Sequence, residues 1–281
     1  MATGRIPAPR IFCIPATRAP VVAVLRRGPS DWCHVGRWDL ERPRYQSGAW
    51  FRGTLYPQKC DLAPDGRWLA YSALKANASW PGGTVHEAIS RLPWLTALAA
   101  WEAGTTYTRG IRFDDEVDVS NIGEPDVGDS GPVLARYGLK LNRAIQFAVE
   151  RRRGWVETES TPPREAGGPW DENRSVQMEK PRPGYPTGPT LLVEGAYAGF
   201  RSFPERHHGA DYSLLAGQDF EVLDGVQWAD WDGAGRLLTA TTDGRLQIRT
   251  LDEPGQSVIF EADLSRYAPQ PEPPPRWAEE W

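Results

Sequence analysis

The chain has 281 residues, of which 40% are hydrophobic and 25% charged, and its net charge at pH 7 is −5. That is enough apolar material for a sizeable core, whereas it lacks the broad positive field of a phosphate-tracking surface, and no stretch reaches the roughly 18 apolar residues of a membrane-spanning helix. Glycine and proline are abundant, 28 and 26 residues, as expected where many short strands meet in tight turns, so the composition predicts one large all-β domain.

In chain order, the opening stretch MATGRIPAPRIFCIPATRAP is broken by prolines at 7, 9, 15 and 20 and has no apolar run long enough for a secretory signal. Cys13, Cys33 and Cys60 are an odd number with no close pair, which predicts free thiols in a reducing cytoplasm. The asparagine sequons at Asn77 and Asn173 matter only in a secreted eukaryotic protein. A first strand is expected at Pro20–Arg26 (PVVAVLR), followed by an aromatic hairpin region from Trp32 to Tyr56.

Next comes Asp61–Ser72 (DLAPDGRWLAYS), a turn followed by a strand. Pro64 presets φ for the first corner, Asp65 bonds forward to the backbone, and Gly66 takes the positive φ that closes the turn. Trp68, Ala70 and Ser72 then alternate with Leu69, Tyr71 and Ala73 in a strand suited to burial on both faces. A second copy, Asp230–Thr241 (DWDGAGRLLTAT), aligns without a gap at an offset of 235 − 66 = 169 residues. Asp61 matches Asp230, Gly66 matches Gly235, Arg67 matches Arg236 and Leu69 matches Leu238. The second copy runs on through Thr242-Asp243-Gly244 into another strand, Arg245–Leu251, a hairpin pattern.

Between the copies, Thr96–Trp101 is expected as strand. Leu141–Glu159 fits both a helical stripe and a strand alternation, and is read as two strands with a turn at Arg153-Gly154. Glu159–Pro189 contains TPPREAGGPW and KPRPGYPTGP and is read as a long proline-rich insertion without a regular ladder. Ser257–Asp263 (SVIFEAD) is a late strand, and Ala268–Trp281 (APQPEPPPRWAEEW) an extended proline-rich tail. The organisation expected is one domain over residues 1–267, with the insertion at about 159–189, and a tail over 268–281.

The SPDGR-like turn followed by WLAYS resembles the WD-like repeats of β-propellers. The resemblance implies stacked four-stranded blades. Propeller repeats run at about 40 to 45 residues, so an offset of 169 spans four intervals and predicts five blades, with six as the alternative. Candidate turns near Gly110, Gly154 and Gly195 share little with the two copies beyond glycine. Ring closure is expected through pairing of PVVAVLR with SVIFEAD, which removes two open edges. The segment from His86 to Phe113 is similar to bacterial proteins of unassigned function.

Several motifs point to chemistry and are outweighed by simpler readings. GDSGP at Gly128–Pro132 lacks one glycine of the trypsin-like GDSGGP motif, and His34 and His86 do not sit in the AAHC context of that family's base, so a turn is expected. His207-His208 and Cys33-His34 are adjacent pairs without metal-ligand spacing; no metal or cofactor is expected. Asp39, Asp61, Asp114, Asp115, Glu116, Asp171 and Asp230 supply carboxylates that a propeller glycosidase could use in pairs. Recurrence of Asp61 and Asp230 at matching positions favours a structural role in the turns instead.

Trp32, Trp38, Trp50, Trp68, Trp94, Trp101, Trp155, Trp228 and Trp231 are expected in the core, whereas Trp80, Trp170, Trp277 and Trp281 lie in loops or the tail. The run Arg151-Arg152-Arg153 is the densest basic cluster, a patch suited to an acidic partner. The function expected is therefore a protein-binding platform, with Trp170, Trp277 and Trp281 as contact residues. A carbohydrate-active propeller and a nucleic-acid-binding protein are the alternatives.

Overall fold

A computed structural model describes residues 9–29, 31–75, 84–105, 110–113, 123–144, 148–160, 175–196, 210–251 and 257–281. The described residues are mostly β, in antiparallel sheets that follow one another along the chain. The first sheet is a meander of β1 (Arg10–Pro15), β2 (Val21–Arg27), β3 (Trp32–Asp39) and β4 (Arg44–Arg52). The second holds β5 (Thr54–Leu55), β6 (Asp61–Leu62), β7 (Trp68–Leu74), β8 (Val85–Arg91) and β9 (Ala99–Glu102), with β5 and β6 both pairing β7.

A two-stranded third sheet pairs β10 (Gly110–Phe113) with β11 (Leu141–Ala144). The fourth contains β12 (Val156–Ser160), β13 (Ser175–Pro181), β14 (Thr190–Ala196), β15 (Ala210–Ala216) and β16 (Asp219–Val222), in that order. The fifth contains β17 (Val226–Trp231), β18 (Leu237–Thr241), β19 (Arg245–Thr250) and β20 (Ser257–Asp263). Two short helices, α1 (Gly131–Arg136) and α2 (Ala148–Arg152), flank β11. No helix among the described residues is long and apolar enough to cross a membrane.

In the fifth sheet burial falls from the first strand to the last. Every residue of β17 is buried, whereas β20 is largely exposed, with Val258 and Ile259 about half open to solvent. β16 is exposed throughout. The buried strands are hydrophobic on both faces because each sheet is covered by its neighbours. Ile14, Val21, Leu25 and Val35 of the first sheet pack with Leu55, Leu62, Leu69 and Tyr71 of the second. Trp68 and Ala70 join Ile111, Phe113 and Leu141 of the third. Met178, Leu191 and Leu214 of the fourth meet Val226, Ala229 and Trp231 of the fifth. Each aliphatic side chain buried in these layers contributes about 1.5–3 kcal/mol.

The last sheet also packs on the first. Ile11, Cys13, Val22, Val24 and Trp38 share a core with Trp228, Leu238, Leu246 and Ile248. The Ile11 amide donates to Gln227 Oε1 at 3.0 Å, and the Arg26 guanidinium donates to the Leu264 and Tyr267 carbonyls. The expected pairing of PVVAVLR with SVIFEAD does not form. β2 is flanked by β1 and β3, and β20 pairs with β19. The physical reason is Arg10–Pro15, which folds back as β1 and occupies the free side of β2, so the first and last sheets meet through side chains instead.

Two further expectations are corrected. The second half of Leu141–Glu159 is not a simple strand pair: β11 is followed by α2, which buries Val149 in the core of the first two sheets. The turn at Arg153-Gly154 is present, with Gly154 at φ +89°. The stretch 159–189 is not wholly loop, because the proline-free run SVQMEK within it forms most of β13, paired on both sides. The tail is tied down: Arg91 donates to the Trp277 carbonyl at 3.0 Å, Thr96 donates to the Ala278 carbonyl at 2.7 Å, and Ala278 is fully buried. Elsewhere Thr96–Trp101 contributes β9 over Ala99–Glu102, and the three cysteines are free and buried.

Candidate functional site

Gly66 and Gly235 both sit at φ +72°, and each donates its amide three residues back, Gly66 to Ala63 and Gly235 to Asp232. Neither site has room for a side chain. A Cβ on Gly66 would lie 2.9 Å from Val21 Cβ, and one on Gly235 would lie 2.8 Å from the Pro183 carbonyl and the Tyr185 ring. Each glycine carbonyl accepts from an arginine of the preceding sheet, Arg37 at 3.4 Å and Arg182 at 2.6 Å. The downstream strands differ by one residue in register, since Asp61 faces Ala70 but Asp230 faces Leu238.

Asp61 and Asp230 are almost completely buried. Each accepts the amide of the next residue, Leu62 at 2.9 Å and Trp231 at 2.8 Å. Asp61 also accepts from the Phe113 amide at 2.8 Å and from Arg152 and Arg153 at 2.7 and 3.0 Å. Among the described residues Asp230 takes a single cation, Lys180 Nζ at 2.6 Å. Carboxylates whose oxygens already accept from cations and backbone amides have a geometry that suits anchoring.

α2 feeds this cluster. Arg152 donates to the Phe113 carbonyl at 2.6 Å, and Arg153 donates to the carbonyls of Pro15 and Val149. The side chains of Arg152 and Arg153 are 0% and 6% exposed, so the basic run is largely internal; only Arg151 turns outward, to Glu157. Burial pushes the Glu150 carboxyl up, against the pull of Arg153. Burial lowers Arg153, with Asp61 opposing. Burial also raises the Cys13 thiol and the Tyr212 phenol, and Asp230 raises both further. Side chains from β1, α2, β15 and β17 therefore share one electrostatic neighbourhood.

Above the cluster opens a cavity of about 580 Å³. Its walls come from the β1–β2 loop, Leu40 and Glu41 after β3, the Arg152–Gly154 turn, Lys180 and Pro183 of the fourth sheet, and Trp231–Ala234 and Arg236 of the fifth. Arg182 lies 3.8 Å over the Tyr185 ring and clamps the β13–β14 loop onto the Gly235 turn. Arg236 is bound to Asp232 and to the Leu40 carbonyl, which ties the fifth sheet to the first at the rim.

Another arrangement pairs a serine with a histidine. Ser47, exposed on β4, lies 2.9 Å from His34 Nε2, and Tyr45 OH is 3.2 Å from Nδ1. Burial, with Arg26 beside it, lowers the His34 pKa to about 3. The imidazole thus resists the proton a general base must take, and the third partner is a phenol rather than a carboxylate. GDSGP forms a 3₁₀ turn leading into α1. Among the described residues no group of three His, Cys, Asp or Glu side chains is placed to hold a metal ion.

The tryptophans expected as contacts separate. Trp277 is 42% exposed. Trp281 is partly buried, stacked on Tyr137 at 5.0 Å and 5.5 Å from Trp68, so its ring is engaged within the chain. Trp170 lies outside the described residues, as do Trp80, Asp114, Asp115, Glu116, Asp171, His207 and His208. Sequence reasoning singled out Asp61 and Asp230 but missed Lys180 and the cavity. It read Arg152 and Arg153 as surface charge, and nothing local in the sequence marked them as internal.

No protein-family profile matches the chain. No curated protein matches it. Among solved structures it is similar to the Pyrococcus horikoshii acylaminoacyl peptidase, with 12% identity and a TM-score of 0.30 over 89% of this chain. The chain spans 46% of that protein's length. A likeness at this level decides neither fold nor chemistry.

Proposed function

We propose that the protein is a non-enzymatic protein-binding platform built as a five-bladed β-propeller, with the loops around the cavity as its contact face. Consecutive antiparallel sheets, shared cores joining the first sheet to the second, the second to the third and the fourth to the fifth, and packing of the last sheet on the first support the propeller reading. The observation that carries the function is the cavity of about 580 Å³ walled by segments of the first, fourth and fifth sheets and the Arg152–Gly154 turn. Many loops converging on one opening combine separate contacts into one interface. A cytoplasmic setting, in keeping with three buried free thiols, belongs to the same proposal.

Occupied carboxylates at Asp61 and Asp230 weigh against the glycosidase alternative, and the internal burial of Arg152 and Arg153 weighs against tracking of nucleic-acid phosphates. The test is quantitative affinity purification from the native host with the wild type and Ala234→Arg, which adds bulk at an exposed rim position. A protein enriched by the wild type and lost from the variant, at unchanged melting temperature, is the expected result. Equal enrichment by both, or selective binding on an oligosaccharide array instead, would contradict the reading.

A further inference from the structure

We infer that the cavity is an anchoring pocket for a carboxylate side chain of an acidic partner segment; the inference rests on the platform reading and names the chemistry its partner presents. Five cations line the cavity: Arg18, Arg152, Arg153, Lys180 and Arg236. Four of them are answered by three carboxylates, since Asp61 serves both Arg152 and Arg153, Asp230 serves Lys180 and Asp232 serves Arg236. Counting the exposed rim residue Glu41, the balance among the described residues is five positive against four negative.

Hydrogen-bond capacity points the same way. Arg153 spends three guanidinium N–H groups on Pro15, Val149 and Asp61, out of five. Lys180 spends one ammonium N–H on Asp230, out of three. Arg18 is exposed, and its guanidinium has no partner among the described residues. Cationic residues from three separate segments thus line one opening, and an oxyanion within reach of their unspent donors would gain charge-assisted bonds in a partly desolvated site.

The shape selects the source. A cavity of about 580 Å³ takes an acidic side chain with its neighbours, whereas a nucleic acid needs an extended basic groove, which a chain of net charge −5 with internal arginines does not offer. Pro20, Leu40, Pro183 and Trp231 add apolar wall for a residue flanking the carboxylate.

The test is calorimetric titration of the full chain, at low salt, with a hexaglutamate peptide and its hexaglutamine counterpart. The glutamate peptide is expected to bind and the glutamine peptide not to. Arg18→Glu should weaken binding about tenfold or more, and Glu41→Gln should tighten it about threefold by removing a competing charge. Both variants should keep the wild-type melting temperature. No binding of hexaglutamate, equal binding of the two peptides, or indifference to Arg18→Glu would overturn the inference. Free glutarate competing as well as the peptide would replace the partner segment by a small dicarboxylate and overturn the assignment of source. If hexaglutamate fails while Ala234→Arg still loses its captured protein, the pocket falls and the platform stands. If Ala234→Arg captures like the wild type, the platform itself falls.

Discussion

The two copies of the turn-and-strand unit share a backbone and differ in what holds their aspartate. At Asp61 two arginines and two backbone amides converge on one carboxylate, and both guanidinium groups are almost wholly removed from water. At Asp230 one amide and one ammonium do the same work, and Lys180 keeps 11% of its side chain exposed. Both sites solve one problem, a carboxylate taken out of water on a buried strand. The number of partners records how far each site lies from solvent, and that difference sets the order of the effects expected on mutation.

The largest is expected for Asp61→Ala. It strands two buried guanidinium groups, and breaking a buried pair in this way costs about 3–5 kcal/mol. Urea unfolding should show the loss as a lower midpoint with an unchanged slope. Asp230→Ala is expected to cost less, on the order of 1–3 kcal/mol, because Lys180 can bend its stem toward the cavity. If the order were reversed, the contrast between the sites would be broken.

The glycines test whether the two turns are equivalent. Gly66→Ala and Gly235→Ala each force a side chain into a positive-φ residue facing an atom less than 3.0 Å away, and each should destabilise by roughly 1–3 kcal/mol. Loss at one position with tolerance at the other would separate the copies.

The smallest effect is a pH dependence shared by both sites. The Glu150 carboxyl is raised by burial, with Asp61 and Asp230 adding to it. The folded state therefore holds a proton that the unfolded chain has already released. Stability is lost as pH rises from the unfolded carboxyl's range through the raised native value. Glu150→Gln should flatten that fall, read as a smaller drop in melting temperature between pH 4 and pH 8; an unchanged profile would remove Glu150 from the network.

What the sequence made legible was local. DLAPDGRWLAYS and DWDGAGRLLTAT announced their turns because proline, aspartate and glycine each impose a backbone preference on a few neighbouring residues. The partners of the aspartates were not legible, since Arg152 lies 91 residues from Asp61 and Lys180 lies 50 from Asp230. No local pattern distinguishes an arginine that turns inward from Arg151, which turns outward to Glu157. β13 was hidden because prolines on both sides outweighed the short proline-free run that forms it. The cavity was beyond reach for the same reason as the ion pairs, as its walls come from segments more than 200 residues apart.

If Asp61 and Asp230 are charge anchors rather than reactive groups, the accessible case is the Asp230–Lys180 pair. The direct measurement is the urea-unfolding stability of the double variant Asp230→Leu, Lys180→Met beside Asp230→Ala. If the pair is an anchor, removing both charges together restores most of the stability lost with one, to within about 1 kcal/mol of the wild type. A double variant as unstable as the single one would contradict the account.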